Sequence, residues 1–232
     1  MIKNPSKLPL NRNSRAILRI LNEGLESSIP SVHLKKYILK NKIQISSSQI
    51  DLKKYNHVFL IAIGKSAGTM TEYVSKKIDF KNGIVVVPNG IVPKLNKSIF
   101  EIINAGHPLP NQNSFTAGRK LVSFLNGTTK NDFVVFLISG GGSALSVYPD
   151  SISLSDKILV NKKLIRSGAN INEISCIRKH LSLIKGGRLI QNMNSSGISF
   201  LVSDVIGDDI GSISSGITTY DKSTFDDALK II

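Results

Sequence analysis

The sequence predicts an α/β protein, a three-layer Rossmann-like parallel sheet preceded by an N-terminal helical arm. Two observations carry this. Near-continuous apolar runs at 57–63, 133–138 and 198–202 have the length of strands buried on both faces, and segments of helical periodicity separate them. Glycine-rich turns follow several of these runs, where a buried strand hands over to a helix. The predicted division is a helical arm over 1–50 and a Rossmann-like domain over 51–232, truncated at its C-terminus.

The 232 residues are enough to bury a sizeable core, and 41% hydrophobic with 20% charged residues fits a globular chain. The net charge is +14, but the lysines are scattered (Lys3, Lys7, Lys35, Lys36, Lys53, Lys54, Lys76, Lys77, Lys162, Lys163) and form no basic block. No nucleic-acid partner is expected, whereas an acidic small molecule suits the charge. The single cysteine, Cys176, rules out an internal disulfide framework and reads as a buried structural thiol. Residues 1–5 lack the apolar core of a signal peptide, and the runs at 58–63 and 133–138 are too short to span a bilayer. A cytoplasmic protein with no membrane partner is expected.

In chain order, Ile17, Leu18, Leu21 and Leu25 share one helical face, with Arg12, Arg15, Arg19 and Glu23 outside it. Pro30 interrupts, and a short second helix is predicted over 33–40, with His33 on the surface. The strand at 57–63 ends at Gly64-Lys65-Ser66-Ala67-Gly68, and a helix follows to about residue 77. Lys65 stands at the carboxyl end of a buried strand, where open α/β sheets bind ligands. The spacing is not that of a Walker A loop. Strands at 83–88 and 100–104 come next. The second runs into Ala105-Gly106-His107-Pro108-Leu109-Pro110, a loop stiffened by proline. His107 there fits a structural hydrogen bond or a ligand contact equally well. Asn113 or Ser114 would cap the following helix, which ends near residue 125.

The run at 133–138 leads into Ser139-Gly140-Gly141-Gly142-Ser143-Ala144-Leu145, read as strand, turn and the opening of a helix. Such a junction offers free amides and a positive dipole end to an anion; the alternative is a plain turn. Helices are predicted over 154–168 and 172–184, the second carrying Arg178-Lys179-His180. The turn Lys185-Gly186-Gly187-Arg188 would present cations to an anion, unless it is a solvated charged face. The strand at 198–202 exits into Ser203-Asp204-Val205-Ile206-Gly207-Asp208-Asp209, whose carboxylates could hold Mg²⁺ through water or form a simple turn. Ser223 or Thr224 caps a last helix. No GxGxxG follows the first strand, which disfavours a dinucleotide cofactor.

Five stretches together resemble the glycerate 2-kinase family whose C-terminal part is the MOFRL domain. They are Gly64-Lys65-Ser66-Ala67; Asn104-Ala105-Gly106-His107-Pro108-Leu109-Pro110; Leu137-Ile138-Ser139-Gly140-Gly141-Gly142-Ser143-Ala144; Arg178-Lys179-His180-Leu181-Ser182 with Lys185-Gly186-Gly187-Arg188-Leu189; and Ser203-Asp204-Val205-Ile206-Gly207-Asp208-Asp209 with Ser215-Gly216. They occur in the family's order and cover the chain from about residue 12 onward.

The resemblance implies transfer of a phosphoryl group from ATP to a hydroxyl of D-glycerate, with Mg²⁺, in a cleft completed by a C-terminal domain that these residues lack. A homodimer is left open. Lys65 matches the family's catalytic lysine. On this reading Lys65 and Asp204 are catalytic, and Asp204 and Asp208 hold the metal. Gly64, Ser66, His107, Ser139, Gly140, Gly141, Gly142, Ser143, Arg178, Lys185 and Arg188 bind substrate or phosphate. The chain departs from the family at Asn111, where Asp is common, and at Ile217, where Pro is usual. The competing readings are a hydroxypyruvate reductase, which would oxidise NADH or NADPH, and an inactive anion-binding fragment.

Overall fold

The computed structural model describes residues 11–232; Lys3, Lys7 and the expectation for residues 1–5 lie outside the described residues. The α/β expectation holds. A five-stranded, fully parallel sheet is flanked by helices.

Helix α1 (Arg12–Ser27) starts at Asn11, whose side chain accepts from the Ser14 amide. It is amphipathic, yet buries none of its residues; Ile17, Leu21 and Leu25 are all exposed. Helix α2 (Pro30–Leu34) opens on Pro30, whose fixed φ suits a first helical turn. The predicted helix over 33–40, and with it a helical arm reaching residue 50, is corrected here. Residues 38–51 form an antiparallel meander of β1 (Ile38–Leu39), β2 (Lys42–Ile45) and β3 (Ser48–Asp51). Ile38 pairs with Ile43, and both are buried. Asn41 and Ser46 take φ of 51° and 49° at the two turns. Asn tolerates that region because its side chain bonds locally, and here it also locks onto Asp79 at 2.7 Å.

The main sheet consists of β4 (His57–Ile63), β5 (Asn82–Pro88), β6 (Phe100–Ala105), β7 (Asp132–Ser139) and β8 (Ser196–Val202), in the order β6-β5-β4-β7-β8. Alternation along each strand splits the apolar residues between two faces. On one face Leu60, Ala62, Val85, Val135 and Leu137 pack under α3 (Ala67–Val74) and the meander, through Met70, Val74, Ile38 and Ile43. On the other, Ile61, Ile63, Ile84, Val134, Phe136 and Ile138 pack against Ala117, Leu121 and Leu125 of α4 (Gln112–Asn126). Every residue of β7 is buried, as a strand covered on both faces requires.

Three further details differ from expectation. The cap of α4 is Asn111, not Asn113 or Ser114. Its carboxamide accepts from the Ser114 amide while Ser114 Oγ accepts from the Asn111 amide. The helix after the triple glycine, α5 (Gly142–Leu145), is a single turn. The helix carrying Arg178 stops early. After α6 (Leu154–Arg166), α7 spans Ile171–His180, and Ser182 and Leu183 then pair with Pro149 and Tyr148. The chain closes with α8 (Phe225–Ile231), capped by Thr224 as expected. Cys176 is buried, packed with Ile177 and Ala228. No helix of the described residues is long and apolar enough to cross a membrane.

Candidate active site

Strand β4 comes first in the sheet's chain order; β5 and β6 were added on one side of it, β7 and β8 on the other. The carboxyl ends of β4 and β7 therefore flank a topological switch point, where parallel sheets leave a crevice. Gly64 to Ser66 leaves β4 there, and Ser139 to Ser143 leaves β7. The two loops are tied together. The Lys65 amide donates to the Gly140 carbonyl at 3.0 Å, and the Ser66 amide to Ser139 Oγ at 3.0 Å.

The glycine loop admits three side chains from elsewhere because it has none of its own. Asp204, just past the end of β8, lies directly against Gly140. A Cβ on Gly140 would stand 1.9 Å from its Oδ2. Gly141 adopts φ +91°, and a Cβ there would meet the His107 ring at 3.0 Å and Lys65 Cγ at 3.2 Å. Lys65 Nζ reaches Asp204 Oδ2 at 3.8 Å, both side chains being about half exposed (54% and 56%). Lys65, His107, Asp204 and the glycine loop thus share one open spot.

Charge at that spot is mixed. Partial burial holds His107 below its ordinary pKa, with the Lys65 ammonium acting in the same direction and the Asp204 carboxylate opposing. The imidazole is therefore kept neutral at pH 7. The amides of Gly141, Gly142 and Ser143 have no acceptor among the described residues. They supply hydrogen-bond donors beside the lysine. A single helical turn adds little dipole, since few peptide units align, so these amides replace the helix end expected from the sequence.

A third loop closes the floor. Ser214 Oγ donates to the Ser139 carbonyl at 2.8 Å, and Ser143 Oγ lies 2.7 Å from Ser215 Oγ. Ser214 and Ser215 both have left-handed φ, 51° and 59°, and are buried. Neither the strain nor the burial of a Ser-Ser pair has a signal in sequence.

The basic residues expected to face an anion sit behind this floor. Lys185 is buried, and its Nζ donates to the Ser143 carbonyl at 3.0 Å. Arg178 Nε donates to Asn161 Oδ1 at 2.9 Å. Arg188 donates to the Ser182 carbonyl at 2.8 Å and lies over the Phe225 ring, 5.8 Å from its centroid. Lys157, which nothing in the sequence singles out, is buried beside them. Its Nζ donates to the Leu181 carbonyl at 3.0 Å, and burial, then the charge of Arg178, pushes its pKa down to about 8.

Asp208 is exposed in the turn after β8 and makes no side-chain hydrogen bond or ion pair among the described residues. Asp209 is occupied by Ser212 and the Gly211 amide. Among the described residues no three or more His, Cys, Asp or Glu side chains group as a metal cage. One carboxylate, Asp204, fits Mg²⁺, which takes one or two protein ligands and completes its shell with water and substrate phosphates.

Residues 16–232 match the family model described as a domain of unknown function, DUF4147. The chain belongs to the DUF4147 family. This DUF4147 domain is 37% identical over 218 residues to a protein of Pyrococcus horikoshii named glycerate 2-kinase, covering 93% of this chain and 49% of that one. A protein of Agrobacterium vitis named for hydroxypyruvate reductase is 39% identical over 178 residues, 75% of this chain and 40% of that one. Among solved structures, a P. horikoshii protein matches with TM-score 0.86 at 35% identity, over 97% of this chain and 51% of that one. A glycerate kinase from Thermotoga maritima matches with TM-score 0.75 at 34% identity, over 94% and 51%. The DUF4147 domain spans about half the length of the relatives it matches.

Proposed function

We propose that this chain is the phosphate-binding half of a glycerate 2-kinase, which moves a phosphoryl group from ATP to a hydroxyl of D-glycerate in the cytoplasm. The observation that carries the reading is the meeting of Lys65, His107 and Asp204 over the Gly140–Gly142 loop at the sheet's switch point. Support comes from relatives and a solved structure bearing the kinase name. The cleft is completed by a second domain.

In this reading the loop amides and Lys65 take the oxygens of the transferring group, where negative charge spreads in the transition state. Asp204 accepts a hydrogen bond from the acceptor hydroxyl and receives its proton. Neutral His107 orients the acceptor without adding charge. Ser66 and Gly64 hold Lys65 in place through Ser139. Arg178 and Arg188 add positive charge behind the loop, and Lys185 acts through the loop backbone. Asp204, with the nucleotide's own phosphates, would hold Mg²⁺, and the ion supplies charge neutralisation at those phosphates. Asp208 would be the second carboxylate of that site.

The test is ATP turnover with D-glycerate by the full-length gene product, with the phosphorylated position read by ³¹P NMR. Turnover of wild type and its collapse in Lys65→Ala are expected; full activity in that variant removes Lys65 from the mechanism. The shared likeness to a protein named for hydroxypyruvate reductase favours a second reading. It requires NADH or NADPH oxidation with hydroxypyruvate, which the same preparation can be assayed for.

A further inference from the structure

We propose that Lys185 is a positioning residue, whose buried amine pegs the glycine loop with its amides turned toward Lys65 and Asp204. The proposal rests on the reading of that loop as a phosphate cradle.

Lys185 is 1% exposed, between buried Ile184 and two glycines with φ of +62° and +80°. That backbone turns sharply and sends the whole side chain inward. Placing an amine inside a protein is costly unless it is hydrogen-bonded. Burial, with Lys157 and Arg178 close by, pushes its pKa well down. Among the described residues no carboxylate pairs with any of these three basic side chains. An apolar side chain of the same length would fill the space without this cost. What the lysine does that an apolar residue could not is donate to the Ser143 carbonyl at 3.0 Å.

That bond belongs to a closed ring. Ser143 Oγ meets Ser215 Oγ at 2.7 Å, and the Ser215 carbonyl accepts at 3.0 Å from the amide of Gly186, the residue after Lys185. The ring therefore runs from Lys185 to Ser143, to Ser215, to Gly186 and back along the chain. It fixes the Ser143 peptide at both its carbonyl and its side chain. In a single helical turn the carbonyls and amides point opposite ways along the axis, so holding the carbonyl inward leaves the amides of Gly141 to Ser143 outward. Ser214, bonded to the Ser139 carbonyl, secures the other end of the loop.

The experiment uses the ¹⁵N-labelled 232-residue chain, with ATP as the probe. In wild type, ATP shifts the amide resonances of Gly141, Gly142 and Ser143. In ligand-free Lys185→Met those resonances move or broaden, while the amides of β5 and β6 stay in place, and ATP binds at least tenfold more weakly. Loop resonances identical to wild type with weakened ATP binding would make Lys185 a direct phosphate ligand and overturn the positioning role. Unchanged resonances with unchanged binding would overturn it as well. If Lys185→Met does not fold, Ser143→Ala must move the same resonances, since it cuts the ring and leaves the amine in place; failure to do so refutes the ring. Wild-type loop amides that ignore ATP, while Lys185→Met still displaces them, would sink the phosphate reading and leave the positioning role standing.

Discussion

Replacing Gly140 by alanine isolates the contribution of Asp204 placement from that of Asp204 chemistry. The new Cβ would stand 1.9 Å from Asp204 Oδ2 and 2.5 Å from its Cγ. Carbon and oxygen need more than 3 Å, so the carboxylate must swing by more than 1 Å. Asp204 is half exposed, and its displacement breaks the 3.8 Å contact with Lys65 and weakens its attraction for the His107 ring. An ion pair between such exposed partners is worth up to about 1 kcal/mol. A shifted rotamer adds about 1 kcal/mol. The fold should therefore survive, with an unfolding free energy within about 2 kcal/mol of wild type on these two figures. Catalysis should not, because a misplacement of about 1 Å at a reacting group costs on the order of 10²-fold. Urea unfolding of the chain and glycerate-dependent ATP turnover by the full-length protein measure the two effects. Asp204→Asn should lose as much turnover as Gly140→Ala. Wild-type turnover in a stable Gly140→Ala protein refutes the placement argument.

Lys65→Met should lower turnover by about 10²–10³-fold, the range for removing one preorganised electrostatic contact, while changing the unfolding free energy by no more than about 1 kcal/mol. Because His107 is held below its ordinary pKa, the folded chain binds fewer protons than the unfolded one as pH falls below about 6.5. Stability contributed by neutral His107 is complete above that pH and is lost as pH falls through its depressed folded value. Urea midpoints of wild type and His107→Gln at pH 7.5 and 5 should therefore differ in slope, the variant losing less on acidification. Asn111→Ala removes the cap of α4 and an acceptor for the Gly106 amide, and should cost about 1–2 kcal/mol by urea unfolding. Asn111→Asp keeps both acceptor bonds and should stay near wild type.

What was legible in the chain was set by burial on a regular lattice. β7 is an uninterrupted apolar run because both of its faces are covered, so it announces itself. Lys65 and the triple glycine were legible for the same reason, since each stands where such a run stops. Residues 38–51 were misread because their strands are short and their turns rely on Asn41 and Ser46 rather than glycine. The length of α5 was hidden because nothing local ends a helix at Leu145; the chain leaves it to follow α4. The inward course of Lys185 was hidden most deeply. A lysine beside glycines reads as surface, and only the packing of three distant segments around Ser143 shows otherwise.

The ties between the two strand-end loops also bear on how the molecule assembles. Ser66 and Ser139 are 73 residues apart in the chain, yet share a hydrogen bond. Closing a loop of that size gains nothing until the sheet's central pair has zipped to its end, so the site is among the last contacts to form. The reactive corner is then a built-in completion mark. A fluorophore near Lys65 would stay silent through collapse and helix formation, and would change only when β7 seats beside β4.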